Sequence, residues 1–193
     1  PAGMKTLGEY ALAGCTGLTA VELPEELVTI GAYAFNGCSA LQEVTMANKV
    51  TTIGYRAFYN CVRLESVTLS SAWNSCPVYS RYYYGSIFEG CSALTRLELT
   101  EGQVELPRNA FQNARALRTV ILPESMVAIR EEAFLDCGAL EVLWIDRNVT
   151  SIADNAMTNC GMLTIHGYAG TYAETYAKEH DIPFVPGKLD DYF

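Results

Sequence analysis

Positive charge is scarce and never clustered in this chain of 193 residues: 13 Lys and Arg face 22 Asp and Glu, for a formal charge of −9. Nucleic-acid affinity rests on phosphate contacts that need grouped cations. DNA, RNA and anionic membranes are therefore not expected as partners. No apolar run approaches the ~20 residues that cross a bilayer, so no membrane insertion is expected. The opening "PAGMKTL" has no initiator Met and no basic segment leading into an apolar one, the mark of a signal peptide. The chain reads as a fragment or processed form of a longer protein.

Catalytic chemistry is equally sparse. There are two histidines, His166 and His180. No Ser or Cys motif pairs a nucleophile with a base, and no Gly-rich loop would cradle a phosphate. The carboxylates are scattered and form no acid/base pair. "NVT" at 148–150 fits a glycosylation sequon, a three-residue match that reads as accidental. We expect no enzyme, no cofactor and no metal site.

What is present is periodic. Half of the residues are apolar, enough for a sizeable core. Phe35 and Phe58 lie 23 apart, as do Phe88, Phe111 and Phe134. Cys15, Cys38 and Cys61 keep the same interval, and so do Cys137 and Cys160. The segments "AFNGCSALQEVTM", "AFYNCVRLESVTL", "IFEGCSALTRLEL" and "AFLDCGALEVLWI" align on A-F-x-x-C-x-x-L-x-x-V-x-L, with about seven copies in all. A unit this short cannot close a core alone, but stacked units bury a continuous apolar column. L-x-x-V-x-L is a leucine-rich-repeat strand signature. It points Val44 and Met46 inward and Glu43 and Thr45 outward. Phe35 and Cys38, three apart, suit one face of a short helix on the opposite wall. Ile30-Gly31 and Ile53-Gly54 would close the turn between the walls.

The phrases "LPEELVTIGAYAFNGCSALQEVTM" and "VTTIGYRAFYNCVRLESVTL" resemble the BspA-type, or Treponema-type, leucine-rich repeat, from residue 7 to about 165. The tail "GYAGTYAETYAKEHDIPFV" is similar to the segment that ends such arrays. The resemblance implies a surface or secreted adhesion or recognition module of anaerobic and gut-associated bacteria.

The expected fold is thus a curved α/β solenoid with a parallel sheet on one wall and short helices opposite. The array would occupy 1–165, a C-terminal cap 166–187 and a tail 188–193. In the cap, Thr171 and Glu174 have capping-box spacing. Tyr172, Ala173, Tyr176 and Ala177 make a helical apolar stripe, and "IPFV" (182–185) reads as a closing strand. The N-terminus lacks such a device. Leu7-Gly8 sits 23 before Ile30-Gly31, so further repeats or another domain are expected upstream, and the uncapped end is a candidate edge for weak self-association.

Six of the seven cysteines occupy one repeat position, with Ala114 in the remaining copy. They read as small buried hydrophobes. A file of sulfurs does not converge as tetrahedral zinc requires, and stacked parallel side chains rarely meet disulfide geometry. Cys76 stands outside the ladder and is read as packed within an insertion.

Candidate binding residues fall in two places. Phe58 and Phe88 lie 30 apart, so the third repeat carries 7 extra residues within about 70–87. That stretch, "SAWNSCPVYSRYYYGS", supplies Trp73, Tyr79, Arg81, Tyr82, Tyr83 and Tyr84, a composition suited to gripping a protein or stacking on a sugar. In the other reading, Trp73 and some tyrosines pack inward and replace the missing Ile-Gly phrase. Farther on, the outward strand positions turn apolar at Ile121, Val142 and Trp144. These are either an exposed hot spot or a face covered by the cap or the tail "KLDDYF". The leading function is non-catalytic binding of a host or microbial surface protein, outside the cell or on its surface. A structural spacer and a carbohydrate-binding module are the alternatives.

Overall fold

The computed structural model describes residues 3–77 and 86–191. The chain winds as a solenoid whose turns each have three walls. One wall is a row of two-residue strands: β1 (Thr6–Leu7), β3 (Thr29–Ile30), β5 (Thr52–Ile53), β8 (Glu105–Leu106), β10 (Ala128–Ile129) and β12 (Ser151–Ile152). Another is a row of longer strands: β2 (Ala20–Glu22), β4 (Glu43–Thr45), β6 (Ser66–Thr68), β7 (Arg96–Glu98), β9 (Thr119–Ile121), β11 (Val142–Ile145) and β13 (Thr164–Gly167). All pairings are parallel and in repeat register, as in Val21↔Val44↔Val67 and Leu97↔Val120↔Leu143↔Ile165. Val44 and Met46 are buried, and Glu43 and Thr45 are exposed. The Ile-Gly phrases belong to the short-strand wall rather than to a bare turn. Gly31 and Gly54 are needed there because a Cβ on Gly54 would lie 2.4 Å from the backbone nitrogen of Ala32.

The third wall is made of turns, not of the expected short helices. Alternate N–H groups look in different directions. Ala34, Asn36 and Cys38 bond back to Gly31, Tyr33 and Phe35 in the same turn. Tyr33, Phe35 and Gly37 bond across to the carbonyls of Tyr55, Ala57 and Tyr59 in the next. An α-helix would claim all of them for itself. Two left-handed residues in each turn, and one in the last, also stop a helix. One is the residue before each ladder position: Gly14, Gly37, Asn60, Gly90, Asn113, Asp136 and Asn159 all have φ between 57° and 81°. Glycine, Asn and Asp are the residues that tolerate this region, which explains their place in the repeat.

Inside, the five phenylalanines stack as one column. Ring centroids are 4.9 Å apart for Phe35–Phe58, 5.6 Å for Phe58–Phe88, 6.1 Å for Phe88–Phe111 and 5.5 Å for Phe111–Phe134. The C-terminal end is closed by α1 (Tyr172–Glu179) and β14 (Phe184–Pro186), which pairs with β13. Ala173, Tyr176 and Ala177 enter the core, while Tyr172 stays exposed. The capping box does not form. The Thr171 hydroxyl donates to the Tyr168 carbonyl at 2.7 Å, and the Glu174 carboxylate accepts from the Gly170 N–H at 2.6 Å.

The insertion divides the coil. The long strands form two separate sheets, β2-β4-β6 and β7-β9-β11-β13-β14. The short strands form β1-β3-β5 and β8-β10-β12, the first extended by a bridge from Thr52 to Ser75. Ser75 keeps the 23-residue interval from Thr52, and Phe88 keeps the longer one from Phe58. The extra residues therefore lie between Pro77 and Ser86, and Trp73, Asn74, Ser75 and Cys76 are regular repeat positions. Residues 3–77 constitute an N-terminal block and 86–191 a C-terminal block.

Candidate recognition surface

The outward face of the long strands differs between the blocks. Glu22, Thr45 and Thr68 are exposed, as is Glu98 at the start of the second sheet. Next in register come Ile121 and Trp144, and both are buried, Trp144 completely. Val142 is half-buried. Of the two readings of Ile121, Val142 and Trp144, burial of Ile121 and Trp144 favours the covered face over the exposed hot spot. Tyr168, just past β13, sets its ring edge against Trp144 at 5.6 Å, and the Arg147 guanidinium lies 3.9 Å over the Tyr168 ring. After Gly187 donates to the Gly167 carbonyl, the chain crosses this face, where Leu189–Asp191 form a 3-10 turn. A signal was present in the sequence. "VLWI" is a continuous apolar run, the mark of a strand buried on both faces, where the N-terminal strands alternate.

A groove of about 630 Å³ remains on this wall. It runs from Thr68 across Glu98 and Thr100 to Ile121, Trp144 and Tyr168, and Lys188 and Leu189 of the tail form its far side. Its lining mixes polar and apolar surface, with Ile121 and Trp144 almost wholly covered beneath it. Its rim carries the carboxylates of Glu98, Glu101, Glu124 and Asp146. Glu101 is held in place by accepting from the backbone N–H groups of Glu124 and Ser125, at 2.9 and 3.2 Å.

Of the insertion candidates, Trp73 is 1% exposed, and its indole N–H donates to the Ser75 carbonyl at 3.1 Å. It fills the core position that Val50 holds one turn earlier, so it is a packing residue rather than a contact residue. Tyr79, Arg81, Tyr82, Tyr83 and Tyr84 lie outside the described residues. Cys76 takes the place of Ile53, packs against the core, and its thiol pKa is pushed up by burial.

A second surface was not anticipated. On the turn wall of the N-terminal block, Tyr10 and Tyr33 stack at 4.8 Å and 4°, and Tyr33 meets Tyr55 edge-on at 5.4 Å. The Arg56 guanidinium lies 4.5 Å from the Tyr59 ring and pairs with Glu89 at 2.7 Å. Tyr10 is 50% exposed. Tyrosines at 23-residue spacing were the available sign.

The cysteines are all free thiols. Those of the ladder do more than fill space. Cys38, Cys61, Cys91, Cys137 and Cys160 donate to the carbonyls of Leu12, Phe35, Phe58, Phe111 and Phe134, one turn back, at 3.0–3.2 Å. Ala114 leaves the Phe88 carbonyl without that donor. Burial raises the thiol pKa of Cys38 to about 11, with Cys61 nearby adding to it, and that of Cys160 to about 11. Burial lowers the imidazole pKa of His166. Among the described residues, no group of three His, Cys, Asp or Glu side chains could hold a metal ion. No helix there is long and apolar enough to cross a membrane.

Parallel strand rungs, a buried Phe column and a turn wall capped by left-handed Gly, Asn or Asp define a leucine-rich-repeat solenoid. Residues 5–87 and 84–174 match the BspA type leucine rich repeat region, in six copies. The chain belongs to that family. Among solved structures it is similar to the T. pallidum leucine-rich-repeat protein, at 20% identity over 93% of this chain and 89% of that one, with a TM-score of 0.58. It is also similar to a leucine-rich-repeat protein from Bacteroides ovatus, at 23% identity, covering 86% of this chain and 48% of that one, with a TM-score of 0.51. The chain thus spans about half the length of the B. ovatus protein. No curated protein matches it.

Proposed function

We propose that this chain is a non-catalytic recognition module, displayed on a bacterial surface or secreted, that binds a protein partner. The carrying observation is the groove over β7, β9 and β11, where an acidic rim stands beside the buried Ile121 and Trp144 and the tail forms the far side. Solenoids bind along extended surfaces of this kind. Membership of a family whose repeats serve protein interaction supports the reading, and the same family is generally non-catalytic. The tyrosines at 79 and 82–84 with Arg81, in the connection next to Ser86, are the second candidate contact.

The test is a binding assay of the intact chain on host cells and matrix proteins. One variant carries Glu98→Lys with Glu124→Lys, and another carries Ser at positions 79, 82, 83 and 84. Loss of at least tenfold in affinity, with the far-UV CD unchanged, is the expected result. Unchanged binding by both variants would leave a spacer role. Glycan binding abolished by the tyrosine variant alone would favour carbohydrate recognition.

A further inference from the structure

The two blocks are joined differently from any other neighbouring turns, and the difference is concentrated on two of the three walls. On the long-strand wall, Met46, Leu99 and Leu122 each donate a backbone N–H to the next turn, at Thr68, Ile121 and Trp144. Among the described residues, neither Leu23 at the first junction nor Leu69 at this one has such a bond, but β2 and β4 still pair as strands, whereas β6 and β7 do not. The Leu69 carbonyl instead accepts the Thr100 hydroxyl at 3.0 Å. On the short-strand wall, Thr51, Asn74, Val127 and Thr150 each donate one turn back, to Val28, Thr51, Val104 and Val127. Val104 makes no such bond to Asn74 among the described residues. There the Gln103 side-chain amide reaches the Trp73 carbonyl, at 3.5 Å.

Gln103 is itself anomalous. It continues the core column Leu27, Val50, Trp73, Gln103, Met126, Val149, whose other members are apolar and buried. Gln103 is 1% exposed, and its Oε1 is buried without a partner. An unpartnered buried acceptor is costly. In the next turn Ala114 omits the thiol bond to Phe88, and Phe88–Phe111 is the widest spacing in the Phe column at 6.1 Å. The third wall is intact. Phe58 and Asn60 donate to Ile87 and Glu89 at 3.0 and 2.9 Å, the Cys91 thiol reaches the Phe58 carbonyl at 3.0 Å, and Arg56 pairs with Glu89.

We propose that the solenoid is a two-body hinge. The blocks open at this seam about the turn wall as the axis, parting on both strand walls, where side chains stand in for main-chain ladders. Thr68 and Glu98 face each other across the seam and both line the groove, so opening widens its near end. The hinge holds whether or not a partner binds there.

Two measurements test it on the intact chain. In hydrogen exchange under native conditions, amides of 66–77 and 96–106 exchange at least tenfold faster than their counterparts at 43–54 and 119–129, while 57–61 and 87–91 stay protected. Thr100→Val speeds seam exchange several-fold. Gln103→Met, which completes the apolar column, slows it several-fold. In acrylamide quenching of single-tryptophan variants (Trp144→Phe and Trp73→Phe), Trp73, packed across the seam on Phe111 at 5.8 Å, is quenched several-fold faster than Trp144, although both are buried. Equal protection at every turn junction, equal quenching, or a Gln103→Met effect spread evenly over the array would each overturn the hinge.

Discussion

The two blocks obey one repeat and solve its surfaces differently. The N-terminal block closes its short-strand turns with glycine. Gly8, Gly31 and Gly54 follow its short strands, Gly31 and Gly54 donate one turn back at 2.8 Å, and Phe35 and Phe58 lie within 4° of parallel. In the C-terminal block Pro107, Arg130 and Ala153 replace the glycines, the bonds from Arg130 and Ala153 are 3.0 Å, and the Phe rings tilt by 25–28°. The turn walls diverge too. Stacked tyrosines decorate one, whereas polar rungs link the other, with Asn109 donating to Glu132 at 2.8 Å and Asn159 to Asp136 at 2.7 Å. One block leaves its long-strand face polar and open, and the other covers it. Repeat position dictates the interior, while each block is free to specialise outside it.

The largest test of this comparison removes a core ring from one block at a time. Phe35→Ala and Phe134→Ala each leave a cavity costing about 3–5 kcal/mol. In urea, Phe35→Ala should make the Trp73 emission shift precede that of Trp144, and Phe134→Ala should reverse the order. Coincident transitions in both variants would mean that the blocks unfold as one. Next, Gly54→Ala should cost about 1–3 kcal/mol by overpacking, because its methyl meets fixed backbone. Pro107→Ala, at the matching position of the other block, should cost less than 1 kcal/mol. Similar losses on thermal melting would remove the difference at these turns.

Smaller effects concern the thiols. The folded pKa of Cys38 and of Cys160 lies above the unfolded value of about 8.5, so the protonated form is favoured by folding. This contribution is complete below that value and is lost as pH rises through about 11. The melting temperature should therefore fall between about pH 9 and 11, with a shallower fall in Cys38→Ala and Cys160→Ala. An unchanged slope in both would assign the alkaline loss to other groups, such as Tyr55, raised by burial to about 12. Ala114→Cys should gain about 0.5–1 kcal/mol by supplying the missing donor to Phe88, measured by urea titration. A destabilised variant would show that the site has no room for sulfur.

The interior was legible because stacking makes the core one-dimensional. Phe35 to Phe134, the inward Val44 and the closing α1 all follow from spacing. The Gly, Asn or Asp before each ladder position was equally visible, at seven places, but its meaning depends on a backbone conformation that periodicity does not specify. The face over Trp144 was half legible: the apolar run "VLWI" signalled burial, but the choice between an exposed and a covered face depended on Tyr168 and the tail, whose placement is a tertiary event. Thiol donation was hidden for a similar reason: a buried cysteine and a buried alanine look alike until the carbonyl one turn back is in place. Tyr79, Arg81 and Tyr82–84 remain candidates on composition alone.

The ladder of sulfur donors also makes the molecule its own recorder of exposure. The thiols of Cys38, Cys61, Cys91 and Cys137 are buried and committed to a carbonyl, Cys76 and Cys160 are half-buried, and Cys15 at the first turn is exposed. Alkylation of the native protein should begin at Cys15 and leave the four buried ladder thiols unmodified for as long as the coil stays wound. An adduct at any of those four then marks a turn that has come undone, and the order of labelling along 38, 61, 91 and 137 traces the route by which the array comes apart.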